Sequence, residues 1–313
     1  MVTSAAGKAV SARVPTPHHP ARFSLADCRQ DDSAFTELRR QTLYRFAVES
    51  RALTVRTLLH LPRVALHSGT VTRGQIRAEM ERNAARLVSD HERIRDLIPT
   101  NQYPLPDLRF VQLGSLQANA IFSNLHYLRS ARAGSINFAL IDPVTRRPVT
   151  LCSVSPLEWL RVGRQIHTQF DLPRSAVWDV SRVYSFNVAP VNAISYLLGK
   201  VRQVIRREYP AVELLTTAVD PNLGFVGASY RAANWHPWMS IEPRPYLYVD
   251  GIYASPRQLR TQFGGANLNE LRAKFPGTFE QSRAKLLDSV IYCCRVRRET
   301  EPVADELRRR LRR

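Results

Sequence analysis

Apolar positions change their period along the chain. Between about residues 33 and 98 they recur at helical spacing: Ile76, Met80, Ala84, Leu87, Ile94 and Leu97 form one stripe, with Thr72 and Gln75 at capping-box spacing ahead of them. Ser33 with Glu37 marks an earlier helix start, and Arg77, Arg82, Arg86 and Arg93 occupy the face opposite the stripe, where solvation is the simplest role. A helical extension over 33–100 is therefore expected. Residues 1–32, rich in Ala, Pro, Ser and His, hold no period and predict a disordered leader without the apolar run of a signal peptide.

After the turn-rich PTNQYPLPD the texture becomes short strands alternating with helices, the grammar of a mixed α/β fold. The expected strands are Ile136–Ile141, Pro148–Val154, Trp178–Phe186, Val212–Val219, Tyr246–Val249 and Ser289–Arg295. Between two of them Val191, Ile194, Leu197, Leu198, Val201, Val204 and Ile205 share one helical face, with Pro190 placed to start the helix. A shorter helix is expected over Phe225–Asn234.

Composition narrows the classes. The 313 residues are 44% hydrophobic, enough for a core, and Lys+Arg 45 against Asp+Glu 27 leaves a net charge of +18. Arginine supplies 41 of those cations, spread along the whole chain, although the terminal LRRRLRR gathers five in seven residues over an expected basic tail at 299–313. Genomic base composition explains such a bias as readily as phosphate binding does, but a field of this sign draws polyanions either way. The longest uncharged runs are broken by polar residues and proline, so no membrane span and a cytoplasmic protein are expected. Cys28, Cys152, Cys293 and Cys294 form no CxxC pair, and the last two would point to opposite faces of a strand, which supports neither a disulfide framework nor a zinc site.

The informative stretch is WDVSRVYSFNVAPVNAISYLLGKVRQVIRREYP followed by AVELLTTAVDPNLGFVGASYRAANW: strand, loop, helix, strand, loop, short helix. A strand feeding a helix N-terminus offers unpaired N–H groups and the positive end of a dipole, a cradle for a pyrophosphate such as that of coenzyme A. Neither G-x-G-x-x-G nor G-x-x-x-x-G-K-[ST] is present, against a dinucleotide or P-loop site.

Ser181–Tyr184 (SRVY), Ala189–Ser195 (APVNAIS), Asp220–Gly224 (DPNLG) and Gly227–Trp235 (GASYRAANW), with YVDGIYASPRQLRTQFG downstream, resemble the Mom DNA-modification proteins of phages, an offshoot of the GNAT acyltransferase fold. The resemblance covers about residues 105–298. It implies a GNAT-like, mainly antiparallel sheet flanked by helices, and an enzyme that carbamoylmethylates the N6 amino group of adenine in double-stranded DNA and so protects it from restriction. It further implies an acyl-CoA or related activated donor, with Arg182 and Ser195 on the cofactor side, Asp220 and Tyr230 at the chemistry, and His126 and Tyr127 on the substrate side. The usual GNAT helix-start signature [QR]-x-x-G-x-[GA] is replaced by Pro190–Ser195.

Each of these residues also has a structural alternative. Asp220 can turn the chain before Pro221, Ser195 can bond back to a helical carbonyl, Arg182 can pair with Asp179 or Asp220, and Tyr230 and His126 can be satisfied core side chains. Asn234 and Trp235 read as a helix end and a core filler, and no histidine pair has metal-ligand spacing, which leaves a metal to residues distant in sequence. Two rival functions stay open: an N-acyltransferase acting on a small amine or protein, and a DNA-binding protein without catalysis.

Overall fold

The computed structural model describes residues 89–126, 128–220, 225, 227–242, 244–250, 252–281 and 288–297. The leader, the basic tail and the helical extension up to residue 88 lie outside the described residues. From there a helical turn at 89–93 and a 3-10 turn, Arg95–Leu97, lead into the sheet.

The main sheet has seven strands: β1 (Arg109–Leu113), β2 (Ile136–Ile141), β3 (Pro148–Pro156), β4 (Val177–Ser185), β5 (Leu214–Val219), β6 (His236–Ile241) and β10 (Ser289–Arg295), in the order β1-β2-β3-β4-β5-β10-β6. A second sheet of β7 (Leu247–Val249), β8 (Ile252–Ala254) and β9 (Phe279–Gln281) has the order β8-β7-β9. The fold is thus the mixed, mainly antiparallel sheet with helices that the sequence predicts. Within the main sheet β4 and β5 form the parallel pair, and they touch only over Val177–Asp179 and Leu214–Thr216 before they part.

A parallel pair needs a crossover, and helix α3 (Ala193–Glu208) supplies it; it follows α1 (Ser115–Asn124) and α2 (Leu160–Phe170) in the chain. Its buried stripe, Ile194, Leu197, Leu198, Val201 and Ile205, packs on Phe138, Leu140, Cys152 and Val154 of β2 and β3. The helix begins where Pro190 stands ready, with the Ala193 N–H donating to the Pro190 carbonyl. The remaining helices are α4 (Ala228–Ala232), α5 (Pro256–Phe263) and α6 (Leu268–Lys274). The expected helix over Phe225–Asn234 is the shorter α4, closed by Asn234 at φ 61, a left-handed position that asparagine tolerates, with Trp235 buried behind it.

Sheet pleat sets what faces what. Ser181 is the extra residue of a bulge, since Ser153 pairs with Arg182 and Val154 with Val180. Consequently Trp178, Val180 and Val183 face the α3 core, while Tyr184 and Phe186 face a second core with Ile121, Phe122 and Leu125 at α1. A third core joins Val162 and Ile166 of α2 to Trp238, Ile291 and Cys293. Cys293 and Cys294 do fall on opposite faces, each in a different core. The β2–β3 hairpin turns on Asp142, fully buried, whose Oδ1 accepts from the Val144 and Thr145 N–H groups at 2.8 and 3.0 Å.

Candidate functional site

Beyond the end of β4, the start of α3 and α4 enclose a cleft of about 530 Å3. Ser185 and Asn187 line it from the end of β4, Asn192 and Ser195 from the start of α3, and Ala228 and Ser229 from α4. Asn192 enters α3 at φ 67, and no side chain caps that end of the helix. Ser195 lies in the first turn with its hydroxyl turned back to the Asn192 carbonyl at 2.9 Å. That bond occupies its proton, and the residue lines the cleft.

Gly227 shows why the motif ahead of Tyr230 begins with glycine. Its φ is +68, and a Cβ there would stand 2.5 Å from the Tyr292 ring. The close approach seats α4 against β10. Tyr230 then stacks at ring-centroid distances of 5.5 Å from Trp235 and 5.9 Å from Tyr292, and its hydroxyl oxygen lies 3.3 Å from the Thr217 hydroxyl of β5. Tyr230 and the cleft thus share the same short helix. Asp220, just past β5, is held instead by the Tyr246 hydroxyl, which donates to its Oδ2 from the start of the small sheet. Tyr246 is a partner that sequence reasoning missed, because nothing at its position signals a contact 26 residues away.

Arg182 stands on the sheet face away from α3. Its Nε and Nη2 donate to the carbonyl and hydroxyl of Ser130 at 2.9 and 3.1 Å, and its Nη1 to the Ser181 carbonyl at 2.7 Å. It therefore clamps the loop after α1. The same loop is tied by Arg129 to the fully buried Asp90 at 2.7 Å, and by Gln258, in the capping box of α5, to the Leu128 carbonyl at 3.4 Å. His126 opens the loop, buried, with Nδ1 accepting from the Leu128 N–H at 3.2 Å and its ring edge-on to Phe122. Tyr127 lies outside the described residues.

Around Arg182 runs a polar strip that the sequence did not advertise. Cross-strand register puts Asn137, Ser153, Ser155, Asp179, Arg182 and Thr216 side by side across four strands, between the α1 and α2 cores. Ser153 donates to Asn137 Oδ1, and Thr216 Oγ1 reaches Asp179 Oδ1 at 3.4 Å. Desolvation pushes Asp179 up to about 6, against the opposing pull of the Arg132 and Arg182 charges. Arg132 pairs with Glu158 at 3.1 Å, while its Nε and the Ser155 hydroxyl are buried without a hydrogen-bond partner.

The architecture is that of a mixed α/β protein with a cleft between the end of β4, the start of α3 and α4. Residues 107–292 match the Mom protein family, and the chain belongs to that family. No curated protein sequence matches it. Among solved structures it is similar to the ribosomal-protein-S5-alanine acetyltransferase of Vibrio fischeri, at 8% identity over 65% of this chain and 100% of that one, with a TM-score of 0.37. It is also similar to a Salmonella typhimurium protein solved with its cofactor acetyl-CoA (9% identity, 63% and 98% covered, TM-score 0.35). A third is the aminoglycoside N(6')acetyltransferase of Legionella pneumophila (7% identity, 65% and 96% covered, TM-score 0.31). Among the described residues no helix is long and apolar enough to cross a membrane, and no group of His, Cys, Asp and Glu could hold a metal ion.

Proposed function

We propose that this protein is a DNA-modifying transferase that moves an acyl group from a coenzyme A thioester to a base amine, with adenine N6 as the acceptor. The observation that carries the reading is the cleft at the uncapped start of α3 in a chain of the Mom family. The N-terminus of a 16-residue helix concentrates unpaired N–H groups and partial positive charge, which suits a pyrophosphate. Asn192 and Ser195 stand where they would meet the phosphates, and Val191, 85% exposed, offers an apolar rim for the donor's uncharged arm.

Tyr230 is the proton donor to the leaving thiolate in this reading, because its phenol sits on the helix that walls the cleft and beside the Thr217 hydroxyl. Arg182 acts by holding the Ser130 loop, and Asp220 by fixing the small sheet through Tyr246. The net charge of +18 supports a polyanionic substrate, and a target base reaches such a site single-stranded or flipped from its stack.

Calorimetric titration of acetyl-CoA into wild type and Ser195→Glu tests the donor site. A carboxylate in the first turn favours the helix but repels a pyrophosphate, so the variant should keep its melting temperature and lose about tenfold or more in affinity. Equal affinity in both proteins would move the donor elsewhere.

A further inference from the structure

Helix α2 packs on the sheet face opposite α3, and none of its residues lines the cleft. Val162, Gly163 and Ile166 are its buried side. The outward side holds Leu160, Arg161, Arg164, His167 and Thr168, all exposed. From Trp159 to Phe170 the chain carries no acidic residue. Glu158, just ahead, is engaged by Arg132 at 3.1 Å, and among the described residues neither Arg161 nor Arg164 forms an ion pair.

A solvated row of cations needs no partner, but two further features point to one. Arg174, in the 3-10 turn Arg174–Ala176 that follows the helix, lays its aliphatic stem on Gly163: a Cβ at that glycine would stand 3.0 and 3.1 Å from the Arg174 Cδ and Cγ. The bare glycine thus seats a third exposed arginine against the helix, and a stem already packed loses less freedom when its guanidinium grips a ligand. At the head of the helix Trp159 and Leu160 are 45% and 57% exposed, a large apolar pair beside the cations. A duplex offers an indole no open base face, whereas an unpaired base does.

We propose that α2, with Trp159 at its head and Arg174 at its side, is a docking surface for single-stranded DNA. Arg161, Arg164 and Arg174 grip backbone phosphates, and Trp159 stacks on an unpaired base. The assignment rests on the DNA-modification reading and specifies its substrate: a strand already open around the target base. Because α2 stands apart from the cleft lining, its contacts hold the strand and leave the chemistry to other residues.

The test titrates the full chain into a fluorescein-labelled oligodeoxynucleotide, single-stranded or annealed to its complement, and reads anisotropy across a range of NaCl concentrations. Wild type should bind the single strand more tightly than the duplex. The triple variant Arg161→Gln, Arg164→Gln, Arg174→Gln keeps the stems and removes three phosphate contacts. Its plot of log affinity against log salt should be shallower by about 2, at roughly 0.7 per phosphate of a single strand, while the corresponding triple Lys variant keeps most of the slope. Trp159→Ala should weaken single-strand binding by about fivefold or more and leave duplex binding within about twofold. Circular dichroism melts confirm that each variant is folded. In a transfer assay the Gln variant should raise KM for DNA with kcat unchanged. An unchanged slope in the folded Gln variant, unchanged single-strand affinity in Trp159→Ala, or no DNA binding by wild type overturns the proposal. So does a Gln variant that keeps its DNA affinity and instead loses binding to phosphatidylserine vesicles, which would assign the surface to a lipid headgroup. Single-strand binding that depends on α2 in a wild type that modifies no base keeps this surface and refutes the transfer reading.

Discussion

Replacing Asp179 by Asn removes a charge that the fold does not welcome. The carboxyl is raised from 3.8 to about 6, chiefly by desolvation, with Arg132 and Arg182 only partly offsetting that cost. A carboxyl whose folded pKa is raised destabilises the fold once ionised: it contributes nothing adverse below about pH 4 and its penalty grows as pH rises through 6. Two pKa units correspond to roughly 3 kcal/mol at pH 8. Asn keeps an acceptor for the Thr216 hydroxyl at the Oδ1 position. The variant should therefore match wild type in thermal unfolding at pH 4 and melt about 4–10 °C higher at pH 8. Circular dichroism melts across that range measure it. A variant less stable than wild type at pH 8 would mean that the carboxylate is a stabilising partner of Arg132 and Arg182, and would refute the dominance of desolvation.

Gly227→Ala should destabilise by about 1–3 kcal/mol and weaken acetyl-CoA binding, because its Cβ would drive Tyr292 and α4 apart; unchanged melting and binding would contradict that packing. Asp142→Ala should cost about 1–3 kcal/mol through two lost turn bonds, read by urea titration. Although burial opposes its charge, the Thr145 and Val144 N–H groups hold Asp142 below 3.8, so its contribution fades only as pH falls through that lowered pKa, and the variant should lack that acid-side decline. Arg182→Lys cannot keep three bonds to Ser130 and Ser181 at once, and hydrogen exchange of residues 128–132 should quicken while the sheet stays protected.

The sequence made the central sheet and its crossover helix legible because their signals are local. The short apolar runs of β2 to β4, the proline-led stripe of α3 and the left-handed asparagine after α4 each act over a few residues. β6 escaped because Pro237 demotes a strand, and it survives at the sheet edge, where a missing N–H breaks no ladder. α1 escaped for the opposite reason: Ala118, Ile121 and Phe122 are its buried residues, too few to mark a stripe. Of the site, the motif residues Ser195 and Tyr230 could be named from sequence, and the helix start that lines the cleft could be read as a phosphate cradle. The polar strip could not, since Asn137, Ser155, Asp179 and Thr216 come from four strands whose register no local pattern encodes. The Ser130 loop as the anchor of Arg182 was equally hidden, 52 residues away.

The central claim is transfer of a group to a DNA base, and mass spectrometry of nucleosides from cellular DNA tests it most directly. DNA from cells expressing wild type, compared with DNA from cells expressing Tyr230→Phe, should contain a deoxyadenosine of increased mass in the first sample alone. Unmodified deoxyadenosine in both samples, from folded and expressed protein, would contradict the account.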